Sequence, residues 1–446
     1  MTNYLRHKLN RTTYEVLIIN ASKYLRARTA QAIFMGKMER RRKSVFGPAL
    51  GKKAVVFFDD INSDTLNDER CDRVDRLLKQ CIQYGQIFSS DDGRLSNLVD
   101  ISFLATSELS EQPDEVLTHF APVVLEPLTM PVVTGILNKM MLWHLDARGF
   151  GKEFDSSINE LISASLTIYK MVLETGGEFE QYSWNLRDAL RCIHGLLLSV
   201  PEAIEDVPAI KRLWVHESLR VFSDRLSKTH LTAKVVEYVE SVCEEHLQAT
   251  VKDLLSHLEL ADPADIVHMN TCSIFFCDFS DPKADTRSYT EVIDMEHLHK
   301  VVGGYLREYN NMTKRPMHYF NVVRFFIRNM AKATRVLKHP RGHLVIVGPV
   351  GVGRHSLARM AGHASDSEVH QFEIVNNWRY ADWLETFKTA LVRAATEDKR
   401  SLFIVSDVEF ELNDCKALVN HVVNSGDVMH LFSSEERSVK AIPTLS

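Results

Sequence analysis

The sequence predicts an α/β protein with parallel sheets flanked by helices and a helical stretch set between two α/β units. Three observations lead there. Residues 55–58 (VVFF) are a short apolar run closed by Asp59 and Asp60, the pattern of a strand buried on both faces. Apolar residues recur at helical spacing over most of 131–258, as in packed amphipathic helices. Residues 344–347 (LVIV) run directly into a turn bearing Gly348, Gly351 and Gly353, the strand-to-helix passage of a phosphate-binding loop.

Elements follow in order from these anchors. After 55–58, a helix is expected from Leu66, Cys71, Val74, Leu77, Leu78, Cys81 and Ile82, with Gly85 as its stop. Residues 98–105 read as a second buried strand, and strand–helix–strand order requires a parallel sheet. From Pro131 the pattern becomes helical, through Val132, Val133, Ile136, Leu137, Met140 and Met141, then Ile158, Leu161, Ile162, Tyr169 and Val172. Stripes of this kind are core packing. Pro, Asp and Ser accumulate over 261–288, and periodicity is lost there. The expected organisation is an α/β part over 1–130, a helical part over 131–260, a linker over 261–288 and a second α/β unit over 289–446. That last unit opens with helical patterning at 305–309 and 322–337, and further strands are expected at 369–374 and 402–405.

With 446 residues the chain is long enough for more than one core, at roughly 150 residues per domain. Its 45% hydrophobic and 25% charged residues are those of a globular protein. Lys+Arg 53 against Asp+Glu 59 leaves a formal charge of −6, which argues against nucleic acid or an anionic membrane as partner. Seven cysteines, with no C-x-x-C pair, suit a reducing compartment. Cys272 and Cys277, the close pair, read as small buried residues rather than metal ligands. No stretch is apolar enough for a signal or a membrane span, so a cytosolic location is expected.

The strongest chemical signal is the segment Gly348, Pro349, Val350, Gly351, Val352, Gly353, Arg354, His355, Ser356 and Leu357. Glycines let successive N–H groups point into one concavity, and the helix start adds partial positive charge where a phosphate would sit. The pattern G-x-x-x-x-G-K-[ST] is met in part. Arg354 stands at the lysine position, His355 at the hydroxyl position, and Ser356 one residue late. Arginine keeps the charge in a planar, longer form, while histidine offers magnesium no hydroxyl. The alternative is a glycine-rich turn that serves packing alone. A dinucleotide fingerprint fits less well, because Ser356 occupies its last position.

Residues 401–407 (SLFIVSD) fit the strand that follows such a loop, with Asp407 as a magnesium carboxylate. Val408 follows, where a catalytic glutamate would polarise water. Glu409 lies one further on, and strand alternation puts it on the wrong side. In the first unit Asp59 and Asp60 read as a magnesium carboxylate followed by a general base, or as acidic residues capping a strand end. Arg40, Arg41, Arg42 and Lys43 read as a solvated helix end or turn rather than a nucleic-acid patch. His216–Glu217 is followed by Arg220 and not by a second histidine, so it is no zinc-protease helix.

Taken in order, these segments resemble the dynein heavy chain, a family of ring-forming AAA+ motors, over nearly the whole sequence. KMERRRKSVFGPALGKKAVVFFDDIN (37–62) is similar to the approach to, and Walker B strand of, the third AAA+ module. YSWNLRDALRCIHGLL (182–197) resembles its sensor-II stretch, with Arg187 at the sensor arginine. IKRLWVHESLRVFSDRL (210–226) resembles its helical subdomain. Residues 339–362 resemble the opening of the fourth module, where ciliary dyneins similarly carry arginine for the Walker lysine and serine one place late. Residues 419–436 resemble the stretch after that module's Walker B strand. The departures are Glu115 and Thr118 where the family has arginines, and Ser63 and Asp64 after Asn62.

The resemblance implies a P-loop NTPase (AAA+) fold with a helical subdomain between two incomplete modules, and no complete ATPase site. It implies ATP or ADP with Mg2+ as cofactors. The partners implied are the remaining heavy-chain modules, dynein intermediate and light chains and, indirectly, microtubules. The location implied is the cytoskeleton of the cytoplasm and the axoneme of a cilium or flagellum. The rival reading is a degenerate AAA+ module kept for structure or interaction.

Overall fold

The structure is a computed structural model. It describes all residues except 1, 23, 62–73, 89–92, 108–117, 257–273, 283, 285–286, 314, 319, 340–341, 375–376, 398–399, 427, 429–430 and 433–446. Leu66, Cys71, Glu115 and Cys272 therefore lie outside the described residues. The chain divides into two compact units, Met1–Leu125 with Ser367–Ser446, and Glu126–Asp366.

The first unit opens with α1 (Thr2–His7), β1 (Tyr14–Asn20), α2 (Ala27–Met35), β2 (Glu39–Arg42), β3 (Val45–Gly47) and β4 (Lys53–Asp59). It continues with α3 (Val74–Tyr84), β5 (Gln86–Phe88), β6 (Leu95–Leu98) and β7 (Ile101–Ala105). Strands β1, β4 and β7 form a parallel sheet with β4 central, in register Val56 to Leu17 and Val56 to Phe103. The period of two decides which face each residue serves. Leu17, Ile19, Val56 and Phe58 pack against α2 and α3, while Ile18 and Phe57 pack against Leu5 on α1. The predicted strand 98–105 is two strands. Asp100, with φ +58, breaks the ladder between them, and Leu98 joins a second sheet ordered β2-β3-β6-β5. The basic run is a strand of that sheet and not a helix end or turn. Arg41 is pinned there by Asp100 at 2.5 Å and by the Pro48 carbonyl, while Arg40 and Arg42 are exposed.

The second unit begins with six helices: α4 (Met130–Arg148), α5 (Asp155–Thr175), α6 (Leu186–Leu196), α7 (Val207–Phe222), α8 (Thr229–Leu247) and α9 (Val251–Leu254). They share one core, with Trp214, Leu161, Ile162, Ile193 and Val235 at its centre. Trp214 satisfies its indole N–H on Ser165 Oγ at 2.8 Å. The start of α6 is fixed by a capping box, in which Asn185 accepts the Arg187 N–H and Asp188 accepts the Asn185 N–H. Asp188 is fully buried and also accepts from Arg191 and Arg225. The strand pair β8 (Phe276–Cys277) and β9 (Thr290–Glu291) follows, then α10 (Met295–Met312), α11 (Arg324–Lys338) and α12 (Arg354–Ala364). Ile327 and Met330 of α11 meet Met360 and Ala364 of α12 in a shared core with Leu298 and Val302 of α10.

Residues 342–349 do not form the predicted strand. They have no ladder partner among the described residues, and Val345 and Val347 are 84% and 89% exposed. A strand exists only through its neighbours, and an apolar run alone does not supply them.

The chain then returns to the first unit with β10 (Glu368–Gln371), α13 (Tyr380–Glu397), β11 (Ser401–Ile404) and α14 (Asn413–Ser425). β10 and β11 pair in parallel over a core of Trp383, Phe387, Cys415 and Leu418. β11 ends before residue 405, so alternation no longer governs Glu409. That side chain sits in a short 3-10 turn at 1% exposure. One oxygen accepts the Trp383 indole N–H at 3.0 Å, and the other accepts the backbone N–H and hydroxyl of Ser406 at 2.5 Å each. The described cysteines are buried, and burial pushes Cys81, Cys243, Cys277 and Cys415 up to about 12.

No described helix is long and apolar enough to cross a membrane. No group of three or more metal-ligating side chains occurs among the described residues.

Two predictions follow from burial. Replacing Glu409 with alanine strips three donors of their acceptor and is expected to cost roughly 1–3 kcal/mol, read as a lower urea midpoint; an unchanged midpoint would refute the role. In the second unit, burial holds His216 well below the ordinary value, aided by Arg220 and Arg335, lowers His144, and pushes His339 to about 4. These rings take a proton near pH 6.5 when unfolded but not when folded, so the unfolded state binds more protons as pH falls through that value. Thermal melts between pH 7 and pH 5 should show a steadily falling midpoint, and a flat or rising one would contradict it.

Candidate functional site

Glycine at 351 and 353 is a conformational requirement. Both residues are left-handed, with φ +92 and +85, a region other residues enter at a cost of roughly 1–2 kcal/mol. A Cβ on Gly348 would come within 3.1 Å of Val352 Cγ2, so the loop closes tightly on itself there. Gly353 is the N-cap of α12 and makes no side-chain cap bond. The first helical bond runs from Leu357 N–H to Gly353 C=O at 2.9 Å, so the amides of the first turn lie ahead of the ladder, as in anion-binding helix starts. Pro349, Val350, Gly351 and Val352 are exposed, while Arg354, His355, Ser356 and Leu357 are half-buried. Backbone and charge thus suit a phosphate. Magnesium is served less well, since His355 brings no oxygen and Ser356 is the nearest hydroxyl in the run.

One residue beside the loop is not visible in the motif. Phe320 lies 3.9 Å from where a Cβ on Gly353 would be. Its ring meets Phe326 edge-on at 4.6 Å, and Phe320, Val322 and Leu357 pack on the core shared by α10, α11 and α12. The segment is held by His299, whose ring contacts the Val322 carbonyl at 2.8 Å. An apolar wall next to a phosphate cradle is what a planar base needs. The one available signal was the aromatic ahead of a helix, and sequence spacing does not link it to a loop that follows α11.

The other predicted residues are distributed as follows. Asp407 is exposed in the turn after β11, in the first unit, whereas the glycine-rich loop belongs to the second. Val408 is 42% exposed, and the Glu409 carboxylate is already engaged by Trp383 and Ser406. Asp59 ends β4 and accepts the Thr106 hydroxyl at 2.8 Å, while that oxygen accepts the Asp60 N–H at 2.9 Å. Asp60 is left-handed, φ +65, and exposed. The two carboxylates therefore stand at a strand end stitched to the neighbouring strand's exit. Arg187 is exposed in the first turn of α6, its backbone fixed by the Asn185 cap.

Three family models match parts of the chain. A family model described as the P-loop containing dynein motor region D4 matches residues 320–443, which contain Phe320 and the glycine loop. A model described as P-loop containing dynein motor region matches 1–118, and one for the AAA+ lid domain matches 161–261. Human dynein axonemal heavy chain 3 is 32% identical over 448 residues, covering 98% of this chain and 11% of its own length. The mouse protein of that name is 30% identical over 98% of this chain and 11% of itself. Rat dynein axonemal heavy chain 12 is 30% identical over 87% of this chain and 13% of itself. The chain thus spans a small part of the relatives it matches. Its parallel sheets, lid helices and glycine-rich helix start all fall within their motor region, and the chain belongs to the axonemal dynein heavy-chain family of AAA+ proteins.

Proposed function

We propose that this chain holds the phosphates of ATP or ADP at residues 348–357 and does not turn the nucleotide over at a useful rate. The observation that supports this is the pairing of left-handed Gly351 and Gly353 with the uncapped start of α12, beside the Phe320 wall. Arg354 supplies the fixed charge for the outer phosphates. Mg2+ would arrive with the nucleotide, held largely by phosphate oxygens and water. Ser356 and Asp407 are the protein ligands that the family resemblance assigns to it. By the same resemblance Asp59 and Asp60 are the metal carboxylates of the preceding module, and Arg187 its sensor.

In its wider setting the chain is proposed to be part of a motor that uses ATP to move along microtubules in the axoneme of a cilium or flagellum. Its partners would be the other heavy-chain modules and the dynein intermediate and light chains. A second reading, a non-catalytic AAA+ module for structure and interaction, is favoured by Val408 and by the fully engaged Glu409 carboxylate.

Titration of the purified chain with a fluorescent ATP analogue should show weak, saturable binding that Arg354→Ala weakens on the order of tenfold, the loss of one charged hydrogen bond. Phosphate release should stay at the blank. Absence of binding at millimolar nucleotide would refute the first half of the proposal. Robust turnover abolished by Arg354→Ala would refute the second.

A further inference from the structure

Glu217, in the middle of α7, is fully buried and meets two other helices of the second unit and the residue just before β9. Arg335 of α11 donates from Nε to both carboxylate oxygens, at 2.9 and 2.8 Å, and Nη2 closes on Oε2. Tyr289, beside β9, donates its hydroxyl at 3.1 Å. Gly195 of α6 lies so close that a Cβ there would stand 1.8 Å from Oε2. A second contact runs parallel, Lys332 to Asp224 at 2.8 Å, three residues before Arg335 on α11. α11 in turn packs on α12, the helix that opens at the glycine loop, through Ile327, Met330 and Met360. α6 carries Arg187 in its first turn.

A buried ion pair is by itself weak evidence of anything beyond packing. The second unit supplies an internal comparison. Asp188 is equally buried and paired with Arg225, but both residues belong to the helical core and neither reaches α11 or α12 in the contacts described. Among the described buried carboxylates of this unit, Glu217 alone joins those helices to the one behind the phosphate loop.

We propose that Glu217 is a positioning residue for the glycine loop: through Arg335 it fixes α11, and through the packing of Ile327 and Met330 on Met360 and Ala364 it fixes the body of α12 behind that loop, relative to the helix that carries Arg187. The part of this that concerns nucleotide affinity rests on the phosphate-binding reading above. The part that concerns α12 does not.

The test compares Glu217→Gln with Asp188→Asn in the full chain, using two readouts. Hydrogen exchange of the α12 amides without nucleotide should accelerate in Glu217→Gln and stay at wild type in Asp188→Asn, even though both variants melt earlier. Affinity for the fluorescent ATP analogue should fall about tenfold in the first and hold in the second, a size ordinary for coupled sites. Should Glu217→Gln not fold, Arg335→Lys, which keeps the charge but loses the two-pronged geometry, takes the same measurements with the same expectation. Equal α12 exchange in the Glu217 or Arg335 variant and in Asp188→Asn would overturn the proposal. A wild type that binds no nucleotide would defeat the phosphate reading, and the exchange comparison would still decide the coupling.

Discussion

A carboxylate taken out of water must have its lone pairs answered by donors, and this demand ties together distant segments at three described carboxylates. Asp188, Glu217 and Glu409 are each 1% exposed or less. Each is met by donors from more than one element: the α6 cap with Arg191 and Arg225, Arg335 with Tyr289, and Trp383 with Ser406. Apolar packing brings helices together but tolerates sliding, whereas a charged group with directional partners does not. The large cores supply most of the burial, and these carboxylates set the register in which the cores close.

The fold was legible where a local pattern is also the tertiary outcome. The run 55–58 is apolar because β4 is covered on both faces. From the stripes after Pro131, Val133, Leu137, Met141, Ile158, Leu161, Ile162 and Val172 lie in the core around Trp214, whereas Val132 and Ile136, expected in that core, are about half exposed because α4 is covered on one side only. Legibility failed where the outcome depends on a distant neighbour. β1 (YEVLIIN) carries no flanking signal of its own, and its strand character comes from lying beside β4. The run 344–347 has the composition of a strand but no described ladder. Glu409 lies beyond the end of β11, so alternation along that strand does not govern where its carboxylate goes.

For the candidate site, the glycines were informative because their backbone demand is intrinsic: positive φ is required at 351 and 353 whatever surrounds them. The charged residues were less so, since Arg354 and His355 change the chemistry without changing the loop. Phe320, beside the glycine loop, and the Glu217–Arg335 pair leave no spacing in the sequence, because both are contacts between segments far apart in the chain.

The clearance at Gly195 has a consequence for how this chain can vary over time. With the Glu217 carboxylate 1.8 Å from the place of any new Cβ, a side chain cannot be gained at 195 while glutamate remains at 217 in this pose. Shortening 217 first would strand Arg335. The two positions, joined to 335, are therefore expected to drift together or not at all, so that a lineage holding Gly195 has its choices at two other helices already made.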